Sequence, residues 1–145
     1  MPERKKKIPF AEGMWTVRSE DQRPKLLGSR CPSCGELFFP RKEKGICVHC
    51  QYLSLENLEL GREGKIVSFT AVLQAPAGGA YFGPVPYIYG LVDLDEGVRI
   101  ETQLGGEIEK LKVGCRVVLT IETLYTDKDG NEVEAFKFRP LDDQN

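Results

Sequence analysis

Four of the chain's five cysteines form two Cys-x2-Cys pairs twelve residues apart, and this spacing constrains the fold more than any other feature. The pairs are Cys31-Pro-Ser-Cys34 and Cys47-Val-His-Cys50, and the segment between them is long enough for a small hairpin. A tetrahedral metal site needs four soft donors about 2.3 Å from the ion, and each Cys-x2-Cys turn directs two thiolates toward one point. The spacing therefore predicts one metal site formed by Cys31, Cys34, Cys47 and Cys50.

The spacing is typical of zinc ribbons and of rubredoxin-type knuckle pairs, and spacing alone does not separate zinc from iron. We expect zinc, with redox iron, disulfides or free thiols as the alternatives. Four thiolate ligands leave no open coordination position, so this zinc is expected to be structural and not catalytic. Residues 27–60 are too few to build an ordinary hydrophobic core, and we expect their folding to depend on the metal.

Beyond the cysteines the sequence changes to a strand pattern. Five segments are rich in β-branched and aromatic residues and are bounded by Gly, Pro or Asp: 64–74, 86–95, 98–104, 116–125 and 131–140. Between the third and fourth segments, residues 105–114 have room for about two helical turns. This order matches the five-stranded Greek-key barrel of the OB-fold, with an SH3-like barrel or an open meander as the alternatives.

The residues before the cysteines predict a short helix within residues 8–22. The pairs Phe10/Met14 and Ala11/Trp15 stand at i,i+4 spacing, and the helix should end before Pro24. The predicted fold is therefore mainly β, with an N-terminal helix, a rubredoxin-like zinc ribbon and an OB-fold barrel. We place the N-terminal tail and helix at 1–26, the zinc ribbon at 27–60 and the OB-fold domain at 61–145.

No residue combination in the sequence predicts a catalytic site in this chain alone. His49, the one histidine, lies inside the second cysteine pair and is interpreted as an exposed loop residue. Cys115 has no second histidine to activate it and is interpreted as a small buried hydrophobe. Asp93, Asp95 and Glu96 stand at a hairpin end, where turn formation and solvent exposure explain them. Phosphate-binding loops, serine nucleophile motifs and metal-hydrolase motifs are absent from the sequence.

Composition limits the compartment and the partners. No apolar run approaches the ~20 residues of a membrane span, and the first ten residues contain no signal-peptide core, so we expect a cytoplasmic protein with no membrane contact. Residues 1–50 carry a net charge of +5 and residues 51–145 carry −7. A barrel that grips single-stranded nucleic acid needs a positive groove, so the acidic charge argues against that function. A free-standing OB-fold protein for single-stranded nucleic acid remains the alternative.

The sequence resembles the acyl-CoA-associated family of zinc-ribbon and OB-fold proteins, formerly a domain of unknown function, whose members accompany thiolase-like enzymes. The resemblance extends from about Pro9 to Pro140 and is carried, in chain order, by PFAEGMW, LLGSRCPSCGELFFPRKEKGICVHC, GREGKIVSFTAV, PYIYGLVDLDEGVRIETQLGG, KLKVGCRVVL and FKFRP. It implies a cytoplasmic small subunit without catalytic residues of its own. It also implies a partner that is a thiolase, a hydroxymethylglutaryl-CoA-synthase-like protein or a related enzyme, and a role in positioning CoA or acyl-CoA.

Two segments are candidates for contact with such a ligand or partner. The ADP moiety of CoA is anionic, and the basic residues Arg41, Lys42 and Lys44 lie together on the predicted ribbon hairpin. The loop 74–86 is long for a connection between strands and carries Tyr81 and Phe82 at its middle, where exposed rings would be interface anchors. The alternatives are a solvated hairpin and rings that fold back over the barrel.

Overall fold

The computed structural model describes residues 6–17, 23–42, 45–79 and 82–141, and they form a β-protein. The ten strands are β1 (Lys7–Pro9), β2 (Trp15–Val17), β3 (Pro24–Arg30), β4 (Leu37–Phe38), β5 (Glu56–Glu59), β6 (Glu63–Val72), β7 (Tyr87–Leu94), β8 (Arg99–Leu104), β9 (Arg116–Thr126) and β10 (Glu132–Pro140). No helix in the described ranges has both the length and the apolarity needed to cross a membrane.

Strands β6 to β10 close into a five-stranded barrel in the order β9-β6-β7-β8-β10, with β10 pairing back onto β9. The β8–β10 contact is parallel and the other contacts between barrel strands are antiparallel. The prediction of a five-stranded barrel is confirmed. Each strand lies within two residues of its predicted bounds, because turn residues flank the alternating segments closely.

The barrel interior is filled by alternate residues of its strands. Val92 and Leu94 of β7, Ile100 of β8, Leu119 of β9 and Phe138 of β10 are buried and belong to one continuous core. Successive side chains of a strand point to opposite faces, so one face of each strand supplies this core. The alternation of apolar and polar residues that predicts the strands is thus also the alternation of buried and exposed side chains.

The ribbon joins the barrel without a linker. Strand β3 pairs antiparallel with β2, β4 and β5, and three residues separate β5 from β6. The N–H of Leu60 donates to the carbonyl of Leu26 at 2.8 Å, and the Arg62 side chain donates to the carbonyls of Pro24 and Leu119 at 3.0 and 3.1 Å. These bonds fix the base of the ribbon against barrel strand β9.

The prediction of an N-terminal helix is wrong, because the described part of 8–22 forms strands. Strand β1 pairs parallel with β10, and β2 pairs antiparallel with β3. Between them the chain turns through Gly13, whose φ of 76° is incompatible with a continuing α-helix. The turn brings Phe10 and Trp15 together, with ring centroids 6.1 Å apart. Sheet pairing with distant strands therefore overrides the local i,i+4 pattern; positions 18–22 lie outside the described residues.

A second predicted helix, in the segment 105–114, is also shorter than expected. The structure forms only a 3-10 turn over Ile108–Lys110. Gly106 and Gly114 both have positive φ values, 91° and 90°, so they limit the segment at either side. The N–H of Gly114 bonds to the carbonyl of Ile66 at 2.8 Å, which leads the chain directly into β9. Leu111, just after the turn, is the residue that reaches the core.

Aromatic rings hold the N-terminal segment, the ribbon and the barrel together. Phe136 of β10 lies at the centre of this group, and its ring centroid is 6.0 Å from Phe10, 6.4 Å from Trp15 and 5.6 Å from Phe39. Edge-to-face and tilted ring pairs at such distances add stability beyond that expected from the apolar area that they bury. Phe136 is itself buried, so it links three segments that are far apart in sequence.

We expect Phe136→Ala to lower the free energy of unfolding by about 3–5 kcal/mol, since a buried ring is lost and a cavity remains. Urea denaturation followed by Trp15 fluorescence measures this change. Phe82→Ala is the control, because that ring is 66% exposed, and it should cost less than about 1 kcal/mol. Equal losses in the two variants would show that Phe136 does not hold the three segments together.

Candidate metal centre and candidate contact surfaces

The two cysteine pairs meet at one point, as the sequence predicts. The Sγ atoms of Cys31 and Cys50 are 3.5 Å apart, those of Cys34 and Cys47 are 3.6 Å apart, and all four lie within 4.8 Å of one another. A tetrahedron of sulfurs with metal bonds of 2.3 Å has edges of about 3.8 Å, so this donor set fits zinc. The fit rests on soft thiolate donors in tetrahedral arrangement.

Backbone amides orient the sulfurs in the same way in both pairs. The N–H of Cys34 donates to the Sγ of Cys31 at 3.5 Å, and the N–H of Cys50 donates to the Sγ of Cys47 at 3.4 Å. Such bonds stabilise the thiolate form and fix ligand direction, as outer-shell partners of a metal site do. The first cysteine of each pair is buried and the second is exposed.

Each pair ends in a residue with a left-handed backbone. The N–H of Gly35 bonds to the carbonyl of Cys31 at 2.8 Å, and the N–H of Gln51 bonds to the carbonyl of Cys47 at 2.7 Å. Their φ values are 83° and 68°. Glycine adopts this conformation without strain, whereas glutamine does so at a cost. The second cysteine pair therefore has the same turn geometry as the first, although Gln51 stands where the first pair has Gly35.

The pKa values of Cys31 and Cys34 are shifted in opposite directions. Burial raises the pKa of Cys31, but hydrogen bonds from the N–H groups of Cys34 and Ser33 outweigh it and lower the pKa to about 7. At Cys34 a backbone hydrogen bond at Glu36 lowers the pKa, but burial and the neighbouring thiols raise it to about 12. Four sulfurs this close cannot all be anionic without a cation, and a divalent metal ion supplies that charge.

The other groups considered for chemistry do not form a catalytic cluster in the described residues. His49 is exposed on the second knuckle. Cys115 is half-buried against the core and donates to the carbonyl of Arg116 at 3.5 Å. Asp93 accepts two hydrogen bonds from Arg99, at 2.7 and 3.1 Å, and this ion pair lowers the pKa of its carboxyl. Asp93 therefore stays ionised at neutral pH and is unsuited to act as a general acid.

The basic residues of the ribbon hairpin are partly engaged by the chain itself. The Arg41 guanidinium lies against the turn at Gly13, where a Cβ would be 2.9 Å from it. The Nζ of Lys42 lies 4.8 Å from the centroid of the Phe38 ring, a cation–π geometry. Lys44 lies outside the described residues. The structure thus places two of the three predicted cations on the ribbon surface, both half-buried.

In the long loop after β6, the Phe82 ring contacts the barrel. Phe82 packs against Tyr125 of β9 with centroids 5.7 Å apart, yet it remains 66% exposed. Beside it is a surface cavity of about 500 Å³ lined by Phe82 and residues 125–128. Tyr81 falls outside the described residues. The loop is therefore supported by β9 while most of the Phe82 ring faces solvent.

One cavity was not predicted from the sequence. It measures about 530 Å³ and lies where the N-terminal segment, the ribbon and the barrel meet, between Met14, Phe39 and Leu124. At its polar side the Tyr89 hydroxyl donates to the Glu101 carboxylate at 2.9 Å. Its residues come from all three segments, so no single motif signals it.

Comparison with known proteins reveals the same two-part organisation. Residues 18–52 match the family model for the rubredoxin-like zinc ribbon domain of ChsH2, and residues 58–122 match the one for its C-terminal OB-fold domain. A solved structure titled Ltp2-ChsH2(DUF35) aldolase superimposes with a TM-score of 0.61 at 29% identity, covering 80% of this chain and 84% of that chain.

The chain is also similar to a thiolase subunit and to a scaffold protein. The benzoylsuccinyl-CoA thiolase subunit BbsA of Thauera aromatica is 33% identical over 97% of this chain and 94% of its own length. A DUF35 domain-containing scaffold protein of Pyrococcus furiosus is 34% identical over 81% of this chain and 84% of its own length. The similarity to both relatives extends through the ribbon and the barrel.

We expect one zinc ion per chain, and Cys31→Ser should abolish stoichiometric binding because it removes a buried ligand. Metal analysis of the purified protein measures the stoichiometry, and absence of visible colour excludes iron. Cys115→Ser is the matched control, since this thiol lies outside the cluster, and it should keep the full equivalent. A Cys31→Ser variant that retained a full equivalent of zinc would contradict the four-cysteine site.

Proposed function

Because the chain belongs to the ChsH2-type family of zinc-ribbon and OB-fold proteins, we propose that it is a non-catalytic accessory subunit of a thiolase-type acyl-CoA enzyme. The observation that carries the proposal is the similarity to the thiolase subunit BbsA over 97% of the chain. Two other similar proteins, the Ltp2-ChsH2(DUF35) aldolase and the DUF35 domain-containing scaffold protein, have names that also fit a role in an assembly. In this proposal the chain supports assembly of the complex and the binding of CoA thioesters in the cytoplasm.

The described side chains support a role without catalysis. Thiolase chemistry requires a nucleophilic cysteine, a histidine base and an oxyanion hole. Four cysteines of this chain form the metal centre, the fifth is Cys115, and His49 is exposed on the knuckle. The sequence thus offers no histidine outside the metal knuckle to serve as a base for Cys115. The reacting groups must come from the partner, a thiolase-like or hydroxymethylglutaryl-CoA-synthase-like protein.

Native mass spectrometry of the tagged chain purified from its own host tests the proposal. The expected result is a complex with a thiolase-like protein that catalyses thiolysis or condensation, while the isolated chain catalyses neither. Isolation without such a partner, or thiolase activity of the chain alone, would contradict it. Binding of a labelled single-stranded oligonucleotide at low salt tests the alternative function, which the net charge of −7 over residues 51–145 disfavours.

We propose that the loop 74–86 contacts the catalytic subunit or its ligand. The double variant Tyr81→Ala/Phe82→Ala should weaken binding of the partner by about tenfold or more, because exposed aromatic anchors dominate interfaces. Its thermal stability should stay close to that of the wild type, since the Phe82 ring is mostly exposed. The control is Tyr52→Ala, which removes an exposed ring on the ribbon. Lower stability with unchanged affinity would assign the loop to the barrel itself.

We propose further that the ribbon hairpin contributes cations to the anionic part of CoA. In the assembled complex, replacement of Arg41, Lys42 and Lys44 by Ala should raise the KM for CoA by about three- to tenfold, since charge-assisted bonds to phosphate are lost. Zinc content should not change. Lys65→Ala/Lys110→Ala/Lys112→Ala, which removes three exposed lysines outside the ribbon, is the charge-matched control. An unchanged KM in the triple variant would exclude this patch.

A further inference from the structure

The second half of β6 has an edge that the described residues leave unpaired. β6 pairs with β7 from Gly64 to Val72, but with β9 only over Glu63–Lys65. The backbone of Ile66 adds two hydrogen bonds, to residues 114 and 115. Beyond it, over 67–73, no backbone partner on the side away from β7 occurs in the described part of the chain. A row of backbone donors and acceptors is therefore available there.

This edge lacks the features that normally protect an edge strand. Residues 67–74 read VSFTAVLQ, with no charged residue and no proline. Natural edges are blocked by charges, prolines or bulges. The register shift at Val67 lies at the first residue of the open segment and leaves the rest of it uninterrupted. By contrast, β1 carries Lys7, and β5 carries Glu56 and Glu59.

The surroundings of the open edge are apolar and exposed. Leu73 at its far end is 72% exposed, and Val113, which precedes Gly114 near its other end, is 69% exposed. Between them the side chains of Thr70 and Ala71 are also exposed. Exposed apolar residues grouped around free backbone groups mark a contact site.

We propose that this edge, residues 67–73, pairs antiparallel with the same edge of a second copy of the chain. Around a two-fold axis at Thr70, each residue meets a residue from the same uncharged segment, and Thr70 meets its own copy, a favourable cross-strand pair. The rest of the barrel region is acidic, with a net charge of −7 over residues 51–145. Two such barrels repel one another least where their surface is uncharged, which favours this strip as the contact.

The inference does not depend on the proposed function, and the isolated chain is sufficient for its test. Sedimentation velocity of the zinc-loaded protein should show a dimer that forms as concentration rises. Thr70→Lys places two ammonium groups opposite one another and should raise the dimer dissociation constant by at least about tenfold. Thr123→Lys, the same substitution at an exposed position of β9, should leave the constant unchanged. Hydrogen exchange should show that the amides of residues 67–73 that point away from β7 become protected as concentration rises.

A chain that stays monomeric at all concentrations would overturn the proposal, as would a dimer that Thr70→Lys and Thr123→Lys weaken equally. Circular dichroism and zinc content establish that both variants are folded. A monomeric chain that loses its catalytic partner on Thr70→Lys, and not on Thr123→Lys, would show that the edge receives a strand of that partner. That result rejects self-pairing while leaving the proposed function intact.

Discussion

The rest of the structure depends on the convergence of four sulfurs on one point. Within residues 24–60 the buried apolar residues are Leu26, Cys31, Cys47 and Leu60, and the two leucines belong to the barrel core. The ribbon therefore has almost no core of its own, and a metal ion held by the four thiolates would substitute for one. Strand β3 pairs with β5, and its Leu26 carbonyl accepts a hydrogen bond from the N–H of Leu60, shortly before β6. The ribbon therefore also fixes where β6 begins.

Ion pairs between charged side chains connect neighbouring parts of the barrel. Arg116 of β9 bonds to Asp95 at 2.8 Å and to Glu63 of β6 at 3.1 Å, so one guanidinium joins three parts of the barrel end. Glu122 of β9 is paired with Arg139 of β10, and this hydrogen bond lowers the pKa of the carboxyl. Carboxylates committed to arginines in this way stay ionised, which suits a binding scaffold better than acid–base catalysis.

Features that depend on residues close together in the sequence are predicted correctly. Features that depend on pairing between distant strands are not. The metal ligands follow from spacing alone, and the barrel strands follow from alternation between Gly, Pro and Asp boundaries. The N-terminal helix fails because Ile8 pairs with Val133 and Trp15 pairs with Leu26, contacts that no local periodicity contains. The cavity beside Phe39 and Leu124 is missed for the same reason. The open edge of β6 is likewise visible only once the partners of every strand are known.

The pairing of β1 with β10 has a consequence for the order of events during synthesis. Both knuckles are complete once residue 50 has left the ribosome, so the nascent ribbon can capture its metal early. Strand β1 has to wait for residues 132–134, which are translated more than a hundred residues later. Domains fold as they emerge, and until the last strand arrives Phe10 and Trp15 lack the Phe136 ring on which they pack. Strand β1 is thus translated well before it can dock, and Phe10 and Trp15 stay accessible to chaperones during that interval.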